Sequence, residues 1–190
     1  MSWMSTWTGK VVYPLDPKPD QICLLDIAHG LGFTCRFNGQ SKFYSVAEHS
    51  VLLADWILKK NPDQHLVALH ALMHDAGEAY LPDIPSPVKL LLPEFKACEE
   101  RLLEVILEAF GIPKMDDPAS YVFISHIDKK IALNEREVVQ PHYNRNMKWV
   151  SENMGLLPGI EINCWKPGTA KSMFLECFKS LMRLNGLQSI

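Results

Sequence analysis

His74 and Asp75 stand side by side in the run Leu69-His70-Ala71-Leu72-Met73-His74-Asp75-Ala76-Gly77-Glu78-Ala79-Tyr80. His49 precedes them in Ser45-Val46-Ala47-Glu48-His49-Ser50, and Asp128 follows in Ser125-His126-Ile127-Asp128-Lys129-Lys130. Two neutral imidazoles and two carboxylates form a set that a divalent ion can use, with coordination positions left for water and substrate. Each residue alone reads as an ordinary polar position on a helix or at its cap. Four of them beside a run as apolar as Leu69 to Met73 are hard to account for without a metal.

On a helix, His74 and Asp75 point about 100° apart, so one ion can sit over the seam between their faces. His49 and Asp128 would close the site from two neighbouring helices. His70 lies four residues before His74, offset by only about 40° on the same face. It can be a second ligand on that helix or a packed residue one turn before the ligand; the packed reading is preferred. Ala71 after His70 rules out the zinc-protease pattern, which needs Glu there.

The elements that must carry these residues are mostly helical. Ser45-Val46-Ala47-Glu48 is a capping-box pattern that starts a helix running to Lys60, stopped by Asn61-Pro62. Further helices are expected from about Asp63 to Tyr80, Pro93 to Phe110, Pro118 to Gln140 and Ala170 to Leu184, with Pro82 and Pro85 closing the first of these. A short helix from about Asp20 to His29 should end at Gly30. Before it, Trp7-Thr8-Gly9-Lys10-Val11-Val12-Tyr13 has the β-branched and aromatic residues of a small hairpin. The region 141–168 reads as irregular. The reading is one all-α domain over residues 1–190 with a small N-terminal β-hairpin.

A chain of 190 residues can bury a sizeable core, and its 47% hydrophobic and 22% charged composition is that of an ordinary globular protein. The formal net charge of -3 gives no footprint for sequence-independent binding to duplex nucleic acid. Neither a signal peptide nor an apolar run of the ~20 residues that cross a bilayer is apparent. Five scattered cysteines without a Cys-x-x-Cys pair point to a reducing cytosol rather than a disulfide framework. A cytoplasmic protein without membrane or duplex partners is expected.

The ordered set His49, His74-Asp75, Asp128 resembles the signature of the HD phosphohydrolases. The likeness extends through Pro14-Leu15-Asp16-Pro17, Asp26-Ile27-Ala28-His29, Cys35-Arg36-Phe37-Asn38-Gly39, Tyr44 to Ser50, Leu72 to Lys89, and Ile127 to Glu135. Its most specific part is His74 to Lys89. Within that group the chain is similar to small deoxyribonucleotide phosphohydrolases, which include bacterial 5'-deoxynucleotidases and phage dATP triphosphohydrolases. The last 50 residues carry nothing equally diagnostic.

This resemblance implies an HD-domain helical fold of about six or seven helices and assigns His49, His74, Asp75 and Asp128 as metal ligands. Zn, Co, Mn, Ni or Fe would suit that set, with Mg possible on the phosphates. Glu78 matches the family's catalytic carboxylate; its other reading is a surface glutamate. Asp83 matches a second acid near the substrate, or forms the turn before Ile84-Pro85. Lys89 matches a basic residue near the phosphates, or is solvated. Arg36-Phe37 matches an Arg-aromatic pair at the mouth of the nucleotide pocket, with Phe where the 5'-deoxynucleotidases have Trp; Phe37 can instead be a core residue. The implied reaction is attack of water at the α-phosphorus of a deoxyribonucleotide. The preferred substrate is dATP, giving deoxyadenosine and triphosphate, from the sequences Arg36 to Gly39 and Pro85 to Lys89. The alternatives are a 5'-deoxynucleotidase acting on dNMPs and a non-catalytic, metal-bound nucleotide-binding module. A homo-oligomer is the expected assembly.

Overall fold

The computed structural model describes residues 3–146 and 153–188. Among them, seven α-helices surround one core, and the only sheet is a two-stranded hairpin at the N-terminus. Strands β1 (Met4–Ser5) and β2 (Val11–Val12) pair antiparallel, Met4 opposite Val12 and Ser5 opposite Val11. The hairpin is seated on the first helix because Asp26, itself buried, accepts hydrogen bonds from the backbone N–H and the hydroxyl of Thr8 at 2.7 and 2.8 Å.

Helix α1 spans Leu24–Phe33, so Gly30 does not end it as expected. The glycines serve close packing instead. A Cβ on Gly30 would stand 2.8 Å from the Ala79 Cα, and one on Gly32 would stand 2.9 Å from the Pro167 carbonyl oxygen. Helix α2 (Val46–Lys60) begins where the capping pattern places it, with the Ser45 hydroxyl accepting from the Glu48 N–H at 3.1 Å. The reciprocal half of the box does not form. The Glu48 carboxylate turns away and accepts from three successive backbone N–H groups, those of Asn163, Cys164 and Trp165, at 2.8, 3.0 and 2.6 Å.

Helix α3 (His65–Met73) is shorter than the expected Asp63 to Tyr80, and residues Ala76–Ala79 form a separate 3-10 turn. Pro85 is followed by one short helix, α4 (Ser86–Lys89), which proline-based punctuation did not suggest. Helices α5 (Pro93–Ala109) and α6 (Pro118–Val139) lie within a residue of expectation, α6 capped by the Asp117 carboxylate on the Ala119 N–H at 2.9 Å. Helix α7 (Pro167–Leu184) starts three residues before the expected Ala170 because Pro167 occupies its first turn, where a missing N–H costs nothing.

The segment with the least to say in sequence is central in space. Helix α7 packs against α1, α2 and α3 and buries Ala170, Phe174, Phe178, Leu181 and Met182, a helical stripe at three- and four-residue spacing. With Leu69, Leu72 and Met73 of α3 and Leu53, Ala54 and Ile57 of α2 it forms the dry centre of the domain. No helix among the described residues is long and apolar enough to cross a membrane, and all five cysteines are free thiols.

Candidate metal centre

Three elements deliver the polar side chains to one place. His49 projects from the first turn of α2 and is fully buried; Asp128 comes from the middle of α6; His74 caps the C-terminus of α3. The two imidazoles turn the same nitrogen inward. His74 Nδ1 is 2.7 Å from the Ala71 carbonyl oxygen, and only a protonated Nδ1 can bond there. His49 Nδ1 is 2.5 Å from Glu135 Oε1. The free Nε2 atoms then face each other at 3.4 Å.

Asp128 Oδ1 is 3.2 Å from His49 Nε2 and 3.9 Å from His74 Nε2. His49, His74 and Asp128 can each offer a ligand atom within 4.8 Å of the others, a cluster that could hold a metal ion. Asp75 Oδ2 lies 3.1 Å from His74 Nε2 and 3.8 Å from His49 Nε2. Two ligand atoms each about 2.1 Å from a shared ion stand about 3.0 Å apart at a right angle and about 3.4 Å apart at the tetrahedral angle. The observed separations fall around those edges, so the donor set and its spacing both fit a divalent ion.

The charges are strongly coupled. Burial alone would push the His74 imidazole down, but the Asp75 carboxylate beside it, with help from Asp128, carries it up to about 9. Asp75 is correspondingly held well below the usual carboxylate range: burial opposes ionisation, and His74, His49 and Arg36 overcome it. Asp128 is lowered in the same way by His49 and His74, against its burial.

Glu78 is not placed by helix geometry. The α-helix stops at His74, Asp75 departs from helical angles (φ -102°, ψ 14°), and Glu78 rides on the 3-10 turn that follows. The tight approach of Gly30 to Ala79 packs that turn against α1. Glu78 stays within the field of the cluster all the same. Burial, then the charges of Asp75 and Asp83, push its carboxyl up to about 9, and its Oε2 is buried with no hydrogen-bond partner among the described residues. Asp83 is also raised, by burial first and by Asp75, with Arg36 opposing.

The basic residues are already engaged. Lys89 forms a 2.8 Å ion pair with Glu99. Arg36 has its Nη1 3.4 Å from Asp75 Oδ2 and its Nε 3.2 Å from Glu135 Oε2. Phe37 and Asn38 follow it with φ of 57° and 52°, and Gly39 with 71°, three left-handed residues in succession. The Arg36 guanidinium carbon lies 5.8 Å from the Phe37 ring centre, so the pair is preserved in space. His70 is the packed residue: Nε2 bonds the Pro113 carbonyl at 2.9 Å and the ring meets Tyr121 edge-on.

Sequence reasoning passed over Glu135, although it closed the last recognised segment. The available signal was spacing: seven residues after Asp128, it returns to within about 20° of the same helix face.

The molecule is thus an all-α domain with an N-terminal hairpin and a His-His-Asp cluster suited to a metal ion. The chain is 36% identical over 187 residues, 97% of its length and 98% of the relative's, to the Escherichia coli protein "Uncharacterized protein YfdR", and it belongs to that family. It is also 38% identical over 117 residues, 59% of the chain and 60% of the relative, to "Uncharacterized protein RCAP_rcc00048" of Rhodobacter capsulatus. No family model matches it.

Proposed function

We propose that this chain is a metal-dependent phosphohydrolase of the HD type, with Asp75 as the fourth ligand beside His49, His74 and Asp128. One observation carries the reading: two imidazole nitrogens and a carboxylate oxygen converge within 4.8 Å, next to the half-buried Glu78, whose carboxyl is pushed up to about 9 by burial and by Asp75 and Asp83. A divalent ion held there supplies Lewis acidity to a phosphate oxygen and acidifies water. Glu78, its carboxylate favoured by the charge of the bound ion, takes the proton from the attacking water at Oε2. The new oxygen–phosphorus bond forms as the bond to the nucleoside 5'-oxygen breaks, and Glu78 returns the proton to that leaving oxygen. Asp83 orients the water from the other side.

The substrate proposed first is dATP, cleaved at the α-phosphorus to deoxyadenosine and triphosphate, with Phe37 packing on the sugar or base. A second reading, 5'-deoxynucleotidase action on a dNMP, has an observation of its own. Among the described residues, Arg36 is paired with Asp75 and Glu135, and Lys89 with Glu99. A trailing polyphosphate would have to displace Glu99 to gain Lys89 as a countercharge, and a monophosphate would not. Incubating the metal-loaded protein with every dNTP and dNMP and weighing the products tests both. Deoxyadenosine with intact triphosphate supports the first, nucleoside with phosphate from a dNMP supports the second, and dADP with orthophosphate overturns α-phosphorus attack.

A further inference from the structure

Glu135 is fully buried, and Tyr44, His49 and Arg36 each turn a group that can donate a hydrogen bond towards it. Oε1 accepts from the Tyr44 hydroxyl at 3.0 Å and faces His49 Nδ1 at 2.5 Å; Oε2 accepts from Arg36 Nε at 3.2 Å. Arg36 passes the restraint on, its Nη1 reaching Asp75 Oδ2 at 3.4 Å. We propose that Glu135 is a positioning residue of the metal centre, acting through His49 and Arg36; this rests on the metal-binding reading above. An ionised carboxylate can only accept, so it requires a proton on His49 Nδ1 and leaves the Nε2 lone pair for the ion. The same carboxylate fixes the guanidinium that restrains Asp75. One side chain of α6 therefore sets the orientation of ligands on α2 and after α3, while α6 itself supplies Asp128.

A buried ion pair that served stability alone would leave the histidine tautomer indifferent, and this separates the two roles. Glu135→Gln keeps the shape but replaces an all-acceptor group with one acceptor and one donor. With three donors around it, the amide either clashes with Arg36 or turns its NH2 to His49. In the second case the imidazole shifts to Nε2–H and withdraws its lone pair from the site. The full chain is titrated with Zn(II) against a chromophoric chelator, and with Co(II) by visible absorption, while far-UV circular dichroism monitors the fold. Glu135→Gln is expected to bind either ion about 10–100-fold more weakly, with a changed Co(II) spectrum and unchanged dichroism. Glu135→Asp, which restores an all-acceptor group, should recover part of the loss. Tyr44→Phe removes one bond that aims Oε1 without touching His49, and a weakening of about threefold is expected there. If Glu135→Gln does not fold, Tyr44→Phe decides. A parent chain that binds both ions beside a folded Glu135→Gln of equal affinity and spectrum overturns the role of Glu135 alone. A parent chain that takes up neither ion overturns the metal reading, and this role with it.

Discussion

Asp128 and Glu135 lie on one face of α6, two turns apart, and grip the same imidazole from its two ends. Asp128 Oδ1 is 3.2 Å from His49 Nε2, and Glu135 Oε1 is 2.5 Å from His49 Nδ1. The ring is thereby held in orientation with no freedom to flip. Its neighbour His74 is fixed independently, through the Ala71 carbonyl. In each ring the Nδ1 atom is held, by Glu135 for His49 and by the Ala71 carbonyl for His74, while Nε2 turns to the cluster.

His74→Ala or Asp128→Ala should remove metal and activity together, because each takes away one corner of the cluster. Metal content of the purified variants, measured by plasma mass spectrometry, checks this. Near-stoichiometric metal in both would overturn the ligand assignment.

Glu78→Gln should keep fold and metal but lose at least about 100-fold in turnover, the scale expected for a lost general base. It also carries a pH signature. In the metal-free protein the carboxyl stands at about 9 against an ordinary 4.5, so the folded state holds a proton that the unfolded chain has released. The Glu78 contribution therefore makes folding less favourable as pH rises from about 4.5 to about 9. Melting temperatures of chelator-treated parent and variant across that window should diverge, the variant gaining at the alkaline end. Parallel curves would mean that Glu78 is not raised.

Lys89→Met separates the two substrate readings. If dATP is the substrate, losing this cation should raise KM for dATP several-fold and leave dAMP nearly untouched. Equal, small effects on both would favour the monophosphate, with Lys89 serving only Glu99.

Gly30→Ala probes the packing behind the site. The added Cβ would meet the Ala79 backbone at 2.8 Å, so α1 and the turn carrying Glu78 must separate. Overpacking of this kind costs about 1–3 kcal/mol. A lowered denaturation midpoint with reduced turnover and retained metal is the expected outcome; wild-type turnover would show that the turn can shift without moving Glu78.

What could be read from the chain was local chemistry. Ser45 announces α2 because its hydroxyl meets a backbone N–H three residues on, and Asp117 and Pro118 start α6 in the same way. What could not be read was decided at a distance. The sequence from His74 to Ala79 has no breaker stronger than Gly77, yet the helix stops there, packed against α1 where Gly30 lets it approach. Glu48 is the reciprocal partner that a capping box requires, but three N–H groups from residues 163–165 outbid its own N-terminus. The partners of Arg36, Asp75 and Glu135, lie 39 and 99 positions away, beyond the reach of any local pattern.

The bolt that Glu48 makes has a consequence for how the protein comes into being. Every candidate ligand lies at or before residue 128, so a growing chain owns the whole donor set before residues 163–165 are made. The first turn of α2, where His49 sits, is tied through Glu48 to the backbone of Asn163, Cys164 and Trp165, and helix α7 packs against α1, α2 and α3. Until residues 163–165 are made, the Glu48 carboxylate lacks these three donors and the first turn of α2 lacks this tie. Assembly of the centre therefore waits on residues well downstream of its candidate ligands, and a chain cut short before Asn163 would carry those ligands without that support.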